Sequence, residues 1–561
     1  MAPLKNRRAL PLSAILLALF SLVCGTAARA QQASPVPPPA AVDPKSTAEF
    51  TAAADEVLGQ MSEITGLKLV SPVKKTLRSR EEIRAYVIHQ MNEEKDPGER
   101  YAAARSAEAF GLLPKGFDFD NFMIELLTEQ IAGLYDPKAH EFYIADWIPL
   151  SDQRMVMAHE LTHALEDQHF KIEDWVKAAR PNDDAELARE SVLEGSAMAA
   201  MVDFLLQGSG RSLKDLPDID PAMLVGDMSS TPTLQKAPPF LKDALIFPYL
   251  SGMTFTAEVL KPAGWPSLPA IFNKPPASTQ QILHPALYRS GKVPAPVKLP
   301  AVDKLVGPGW TKLEENLMGE FGWKEILKQY LDESRAKALA AAWDGDRYVV
   351  FEQKQSKQLL LVARLDLAGV EQTLHFFGQY SEALEKKHAQ RTNLFRRADF
   401  FSFETPDGGV FLRCVATECI TVEGASRALF DSINKSIGWP AAPEPPIDPA
   451  KVPDKTASIV PGNRGVSTAP NGARAVAAAI SKNDPAARFL SASSSFSPTI
   501  LDASQTRWTA LEDSDRAGTL VGKHACPPQA GCATYCPGAL PPVNFCRSRE
   551  EAWFVHRNFA G

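Results

Sequence analysis

The eleven residues Ala158-His159-Glu160-Leu161-Thr162-His163-Ala164-Leu165-Glu166-Asp167-Gln168 constrain this chain more than any other stretch. They lie in an amphipathic run from about Asp152 to Phe170, in which Met155, Val156, Leu161, Ala164 and Leu165 recur at helical spacing. On a helix, side chains four apart stand one above the other with Cβ atoms about 5–6 Å apart, so His159 and His163 can aim two imidazole nitrogens at one ion. Zinc suits such a set, held at about 2.0–2.2 Å by imidazole and carboxylate with a fourth position left for water. Glu160, one residue past the first histidine, reaches beside that line, and its expected role is general base.

A third ligand is needed. The run from Ala185 to Met201 reads as a second helix whose apolar face, Leu193, Ala197, Ala200, Met201 and then Phe204, marks it as a core element. An acid among those residues is buried and needs a partner. Glu194 is the first candidate, since zinc would offset its desolvation. Glu190, one turn earlier, is either an acceptor for a ligand histidine or the ligand itself. Gly195 and the small residues after it predict a close approach of the two metal-site helices. Glu186 and Arg189 read as a solvated face.

The block His159-Glu160-Leu161-Thr162-His163-Ala164 with Asp167 resembles the active-site helix of thermolysin-type gluzincins, whose third zinc ligand is a glutamate on a following helix. More closely, the chain resembles a group of bacterial exported zinc metallopeptidase-like proteins. The resemblance is carried by 129–137 (EQIAGLYDP), 193–197 (LEGSA), 247–252 (FPYLSG) and 275–285 (PPASTQQILHP), and it covers roughly residues 47–300 and more loosely to about 435. It implies zinc, Glu160 as base, a peptide or protein substrate and a zincin-like catalytic domain. No N-E-x-x-x-D stretch follows the helix as it does in thermolysin. Asp167 is the candidate for orienting a ligand imidazole. His284 is a candidate catalytic donor to a developing oxyanion, a role that Tyr288 or Tyr249 could also fill.

The remaining sequence sets boundaries. Residues 1–30 carry an export signal: Lys5, Arg7 and Arg8, then the apolar Leu12 to Val23, then Ala28-Arg29-Ala30. That apolar run is too short to span a bilayer, so no stable membrane insertion is expected once the signal is removed. The product is placed in the periplasm or outside the cell. Residues 31–46 form a Pro/Ala linker, and 47–300 the metallopeptidase-like region, helical to Leu113 with a cap at Ser79. Within it Ile131 to Tyr135 and Glu141 to Asp146 form a hairpin whose Phe142-Tyr143-Ile144 suits an edge strand for an extended peptide. His140 reads as a turn residue.

Residues 301–440 read as a smaller α+β module with helices at Leu313–Tyr330 and Ser334–Ala342, a turn at Trp343 to Asp346, then alternating strand and helix. Asp344 and Asp346 read as part of that turn rather than a calcium site. Cys414 and Cys419 bracket a four-residue loop and are expected to form a disulfide in an exported chain. Residues 441–561 are low in complexity and expected to be disordered, with Cys526, Cys532, Cys536 and Cys546 lacking zinc-ribbon spacing. A formal net charge of −7 over 561 residues argues against a nucleic-acid partner. The fold class expected is therefore α+β. The competing function is a non-catalytic cell-envelope binding or assembly protein that keeps the fold and its zinc.

Overall fold

A computed structural model describes residues 44–94, 96–215 and 231–444, with three short strands further on. The export signal, nearly all of the Pro/Ala linker and the four C-terminal cysteines lie outside the described residues. The fold is α+β.

Helix α1 (Pro44–Thr65) buries Phe50, Ala54, Val57, Leu58 and Met61, one stripe at helical spacing. Strand β1 (Lys74–Arg78) follows, then α2 (Arg80–Glu94). Ser79 caps α2: its amide and hydroxyl meet the Glu82 carboxylate, and its Oγ accepts from the Glu82 amide. Helices α3 (Pro97–Phe110) and α4 (Phe119–Gln130) lead into the hairpin β2 (Gly133–Asp136) and β3 (Glu141–Ala145). The hairpin pairs as its sequence suggests, but β3 is not an edge. Strand β1 lies parallel to it from Lys74↔Glu141 to Arg78↔Ala145, so the order is β1-β3-β2 and the outer strands are β1 and β2. Lys74-Lys75-Thr76-Leu77-Arg78 carries no apolar alternation, and its Lys74 and Thr76 side chains bond Glu141 across the pair. A polar ladder therefore seals the edge that was expected to stay open.

Helices α5 (Leu150–Phe170), α6 (Ile172–Lys177) and α7 (Asp183–Leu206) follow, then α8 (Pro232–Lys236) and α9 (Pro239–Leu260). Helix α5 packs on α1, α7, β2 and β3, and every residue from Val156 to Asp167 is buried. It is a central helix rather than an amphipathic surface one. Three short helices, α10 (Leu268–Asn273), α11 (Thr279–Leu283) and α12 (Pro285–Ser290), precede a seven-stranded antiparallel sheet.

That sheet contains β4 (Trp310–Asn316), β5 (Trp343–Gln353), β6 (Leu359–Leu367), β7 (Thr392–Arg396), β8 (Phe400–Thr405), β9 (Gly408–Val415) and β10 (Glu418–Ala425) in the order β4-β5-β6-β10-β9-β8-β7. Between them run α13 (Gly319–Lys328), α14 (Glu333–Ala340) and α15 (Val370–Lys387), and α16 (Arg427–Ser436) follows. Two expectations change here. The stretch from Leu313 begins as strand β4, since its partner β5 is there to bond it, and helix starts only at Gly319. Trp343 to Asp346 is the bulged start of β5 rather than a turn. Asp346 accepts from the Met318 and Gly319 amides and the Trp343 indole, and Asp344 pairs with Lys292.

Cys414 and Cys419 face each other across β9 and β10 and are joined by a disulfide. One apolar core runs without a break from Phe50 to Cys419, with Phe110 edge-on to both Trp323 and Tyr348. A second cluster lies between β-strand residues such as Phe400 and Phe411 and helix α16, and includes Ala442, so packing continues just past the expected start of the tail. Within that tail β11 (His524–Ala525), β12 (Ala533–Tyr535) and β13 (Val543–Phe545) form a separate antiparallel sheet where composition predicts disorder. Among the described residues, no helix is long and apolar enough to cross a membrane.

Candidate metal centre

Local structure fixes the rotation of α5 at both ends. Gln153 donates to the carbonyls of Ala145 and Ile148, pinning the β3–α5 turn. At the other end the Gln168 side chain clasps Val70 and Ser71 through three main-chain bonds. Asn182 caps α7 by accepting from the Ala185 amide.

The two helices bring His159, His163 and Glu194 together as the sequence predicts, and among the described residues they are the group able to hold a metal. His159 Nε2 lies 3.0 Å from Glu194 Oε2 and 3.2 Å from His163 Nε2, and His163 Nε2 lies 3.5 Å from Glu194 Oε2. Two donors each about 2.0–2.2 Å from one tetrahedral ion stand about 3.3–3.6 Å apart, so the triangle needs only a few tenths of an ångström to fit zinc. All three are buried, at 3, 8 and 6% exposure. Burial works against the His163 imidazolium, but Glu194, Glu166 and Glu160 together raise its pKa well above the ordinary value. Burial likewise pushes Glu194 up, and the two histidines hold it down at about 2.

Glu190 is the other acid considered for the third ligand. It is 1% exposed, neither of its oxygens has a hydrogen-bond partner, and it is not in the triangle. Burial, reinforced by the charges of Glu186 and Glu194, raises its pKa well above the ordinary carboxylate value.

Glu160 is buried beside the triangle and its Oε2 accepts from the Tyr135 amide at 2.7 Å. Strand β2 explains that contact. Ala145 donates to Ala132, so bonded pairs continue at Leu134 and Asp136 and the main-chain groups of Tyr135 turn to the outer edge, toward α5.

Asp167 does not orient a ligand histidine. It accepts from Tyr135 Oη at 2.9 Å, stands 3.0 Å from His140 Nδ1 and accepts from the Ile172 amide, so it ties the hairpin to α5. His140 is thus more than a turn residue. The acid at a candidate ligand imidazole is Glu166, whose Oε2 is 3.3 Å from His163 Nδ1. Glu186 was expected at the surface, but it is fully buried and paired with Arg180.

His284 lies at the α11–α12 junction, half-exposed, with its Nε2 2.8 Å from Glu320 Oε1. Tyr288 donates to the Lys274 carbonyl. Of the three oxyanion candidates the structure brings Tyr249 to the triangle: its ring stacks on His159 and its hydroxyl hydrogen-bonds Glu194. Two glycines allow this. A Cβ on Gly195 would collide with the Gly252 carbonyl carbon, and one on Gly252 with the Ser191 oxygen, so α7 and α9 touch backbone to backbone. The close approach read from Gly195 is therefore to α9 rather than to α5.

Residues 308–433 match a family model described as a domain of unknown function, DUF8575. The matched stretch spans the seven-stranded sheet and its helices and includes none of His159, Glu160, His163 and Glu194. No curated protein and no solved structure matches the chain.

Proposed function

We propose that this chain is an exported zinc-dependent metallopeptidase that hydrolyses peptide bonds. The observation that carries the reading is the convergence of His159, His163 and Glu194 at ligand spacing with Glu160 held beside them by an amide of an outer strand. Two imidazoles and a carboxylate suit zinc, although iron(II) uses the same donor types. Zinc in that position supplies a Lewis acid that polarises a carbonyl and lowers the pKa of water to about 7.

The chain's own residues do the rest. Glu160 takes the proton of the attacking water and returns it to the departing amine. The Tyr135 bond aims that carboxylate, and Tyr249 offers a hydroxyl to negative charge developing on the substrate oxygen. His284, the donor read from sequence, is engaged with Glu320. Export rests on the N-terminal signal, with which the Cys414–Cys419 disulfide is consistent.

One observation favours the second reading, a non-catalytic envelope protein with a structural metal: Glu160 is only 4% exposed and its neighbours in the triangle are as deeply buried. Metal analysis of the purified chain with peptide-library cleavage, wild type beside Glu160→Gln, decides between them. The enzyme reading expects one zinc per chain in both and cleavage in the wild type alone. One zinc with no cleavage that depends on Glu160 leaves the envelope reading.

A further inference from the structure

We infer that Glu166 and Ser196 form a positioning relay that sets how tightly the centre holds its cation, an inference that rests on the metal reading above. Glu166 is completely buried and uses both oxygens: Oε2 faces His163 Nδ1 at 3.3 Å, and Oε1 accepts the Ser196 hydroxyl. Ser196 is itself fully buried, and its Oγ also lies 3.0 Å from the Leu193 carbonyl, which fixes its rotamer.

An imidazole that gives its Nδ1 proton to a carboxylate is locked in the tautomer whose Nε2 lone pair points outward, and it becomes a stronger donor. Nε2 is the His163 atom that stands in the triangle with His159 and Glu194. Ser196 sits two residues beyond Glu194 on α7. The helix that delivers the carboxylate ligand therefore also delivers the hydroxyl that aims the acid behind His163. The next acid on α5, Asp167, is occupied with Tyr135 and His140. Glu166 thus serves the ligand while Asp167 holds the strand.

Zinc affinity measured by chelator competition on the full chain tests this. Glu166→Gln keeps the shape and an acceptor but loses the charge, and is expected to weaken zinc binding about 10–100-fold. Ser196→Ala removes only the hydroxyl and is expected to weaken it about two- to tenfold. The double variant is expected to fall short of the product of the two, because both act through one contact. Excess zinc is expected to restore kcat in each, the mark of positioning rather than chemistry. A folded Glu166→Gln chain that binds zinc within twofold of wild type overturns the relay, as does an activity loss that excess zinc does not restore. If Glu166→Gln does not fold, Ser196→Ala decides, and unchanged affinity there overturns the relay. A wild-type chain that binds no zinc removes the metallopeptidase proposal itself, which is a separate result.

Discussion

The ring of Tyr249 lies 5.9 Å from that of His159 at an interplanar angle of 26°, and its hydroxyl reaches Glu194. One side chain therefore touches two of the three candidate ligands from α9. Tyr249→Phe keeps the stacking and deletes the donor. It is expected to lower kcat/KM by about 10²–10³, the cost of losing one oxyanion donor, while zinc affinity changes only a few-fold. Steady-state kinetics with parallel metal titration check this, and unchanged kcat/KM would reduce the residue to packing.

Glu194 and Glu190 stand one helical turn apart and are expected to respond oppositely. Glu194→Gln removes a ligand that the two histidines hold ionised, and stoichiometric zinc is expected to be lost. Glu190→Gln replaces a buried carboxyl that lies outside the triangle and has no hydrogen-bond partner with its near-isostere, and zinc affinity is expected to stay within about twofold. Metal content after dialysis distinguishes them. Retention by the first and loss by the second would exchange their roles.

The helix crossing at Gly195 and Gly252 has no room for a methyl group, because the atoms in the way are backbone. Gly252→Ala is expected to cost about 1–3 kcal/mol through overpacking. It is also expected to draw Tyr249 off His159. Urea unfolding gives the first number, and a fall in kcat/KM larger than the stability loss explains reports the second. Wild-type stability would refute the crossing.

A pH effect follows from the junction between α7 and the sheet. Burial raises Asp184 to about 7 against two bonds from Thr279, with Asp346 and Glu320 adding to the rise. Burial raises Asp346 to about 6 against its amide bonds. Unfolded aspartates titrate near about 3.9, so the folded chain binds more protons between that value and about 7. Stability is therefore expected to be greatest near pH 4, to fall by on the order of a few kcal/mol as pH rises to about 7, and to level off above it. Glu423 acts in the opposite sense at the acid end: burial pushes it up, but Lys387 and His388 hold it at about 2, so its contribution is lost as pH falls from about 4.5 to about 2. Thermal melting across pH 4–8 is expected to show a shallower slope in Asp184→Asn. An equal slope would discharge Asp184.

The candidate ligand triangle was legible because its information is local: four-residue spacing on one helix, and an acid in the apolar face of another. The Ser79 cap, the β2–β3 hairpin and the Cys414–Cys419 pair were readable for the same reason. What escaped depends on partners far along the chain. Strand β1 has no alternation, and only its pairing with Glu141 to Ala145 shows it is a strand. Glu166 carries no local mark, because nothing in its own segment says that α5 is buried on every side or that Ser196 waits opposite. Tyr249 sits in an apolar run that reads as core, and it is core. Its place beside His159 depends on the Gly195–Gly252 contact, which no single-segment pattern reveals.

Asp184 and Glu194 belong to one uninterrupted helix, and at 1.5 Å per residue the second lies about 15 Å along the axis from the first. A pivot of about 2° at the Asp184 end swings the Glu194 end through about 0.5 Å, more than the roughly 0.2 Å tolerance of a coordination bond. Thr279 of α11, which donates to Asp184 and accepts from the Phe321 amide of α13, holds the far end of that lever, ten residues from the candidate ligand Glu194.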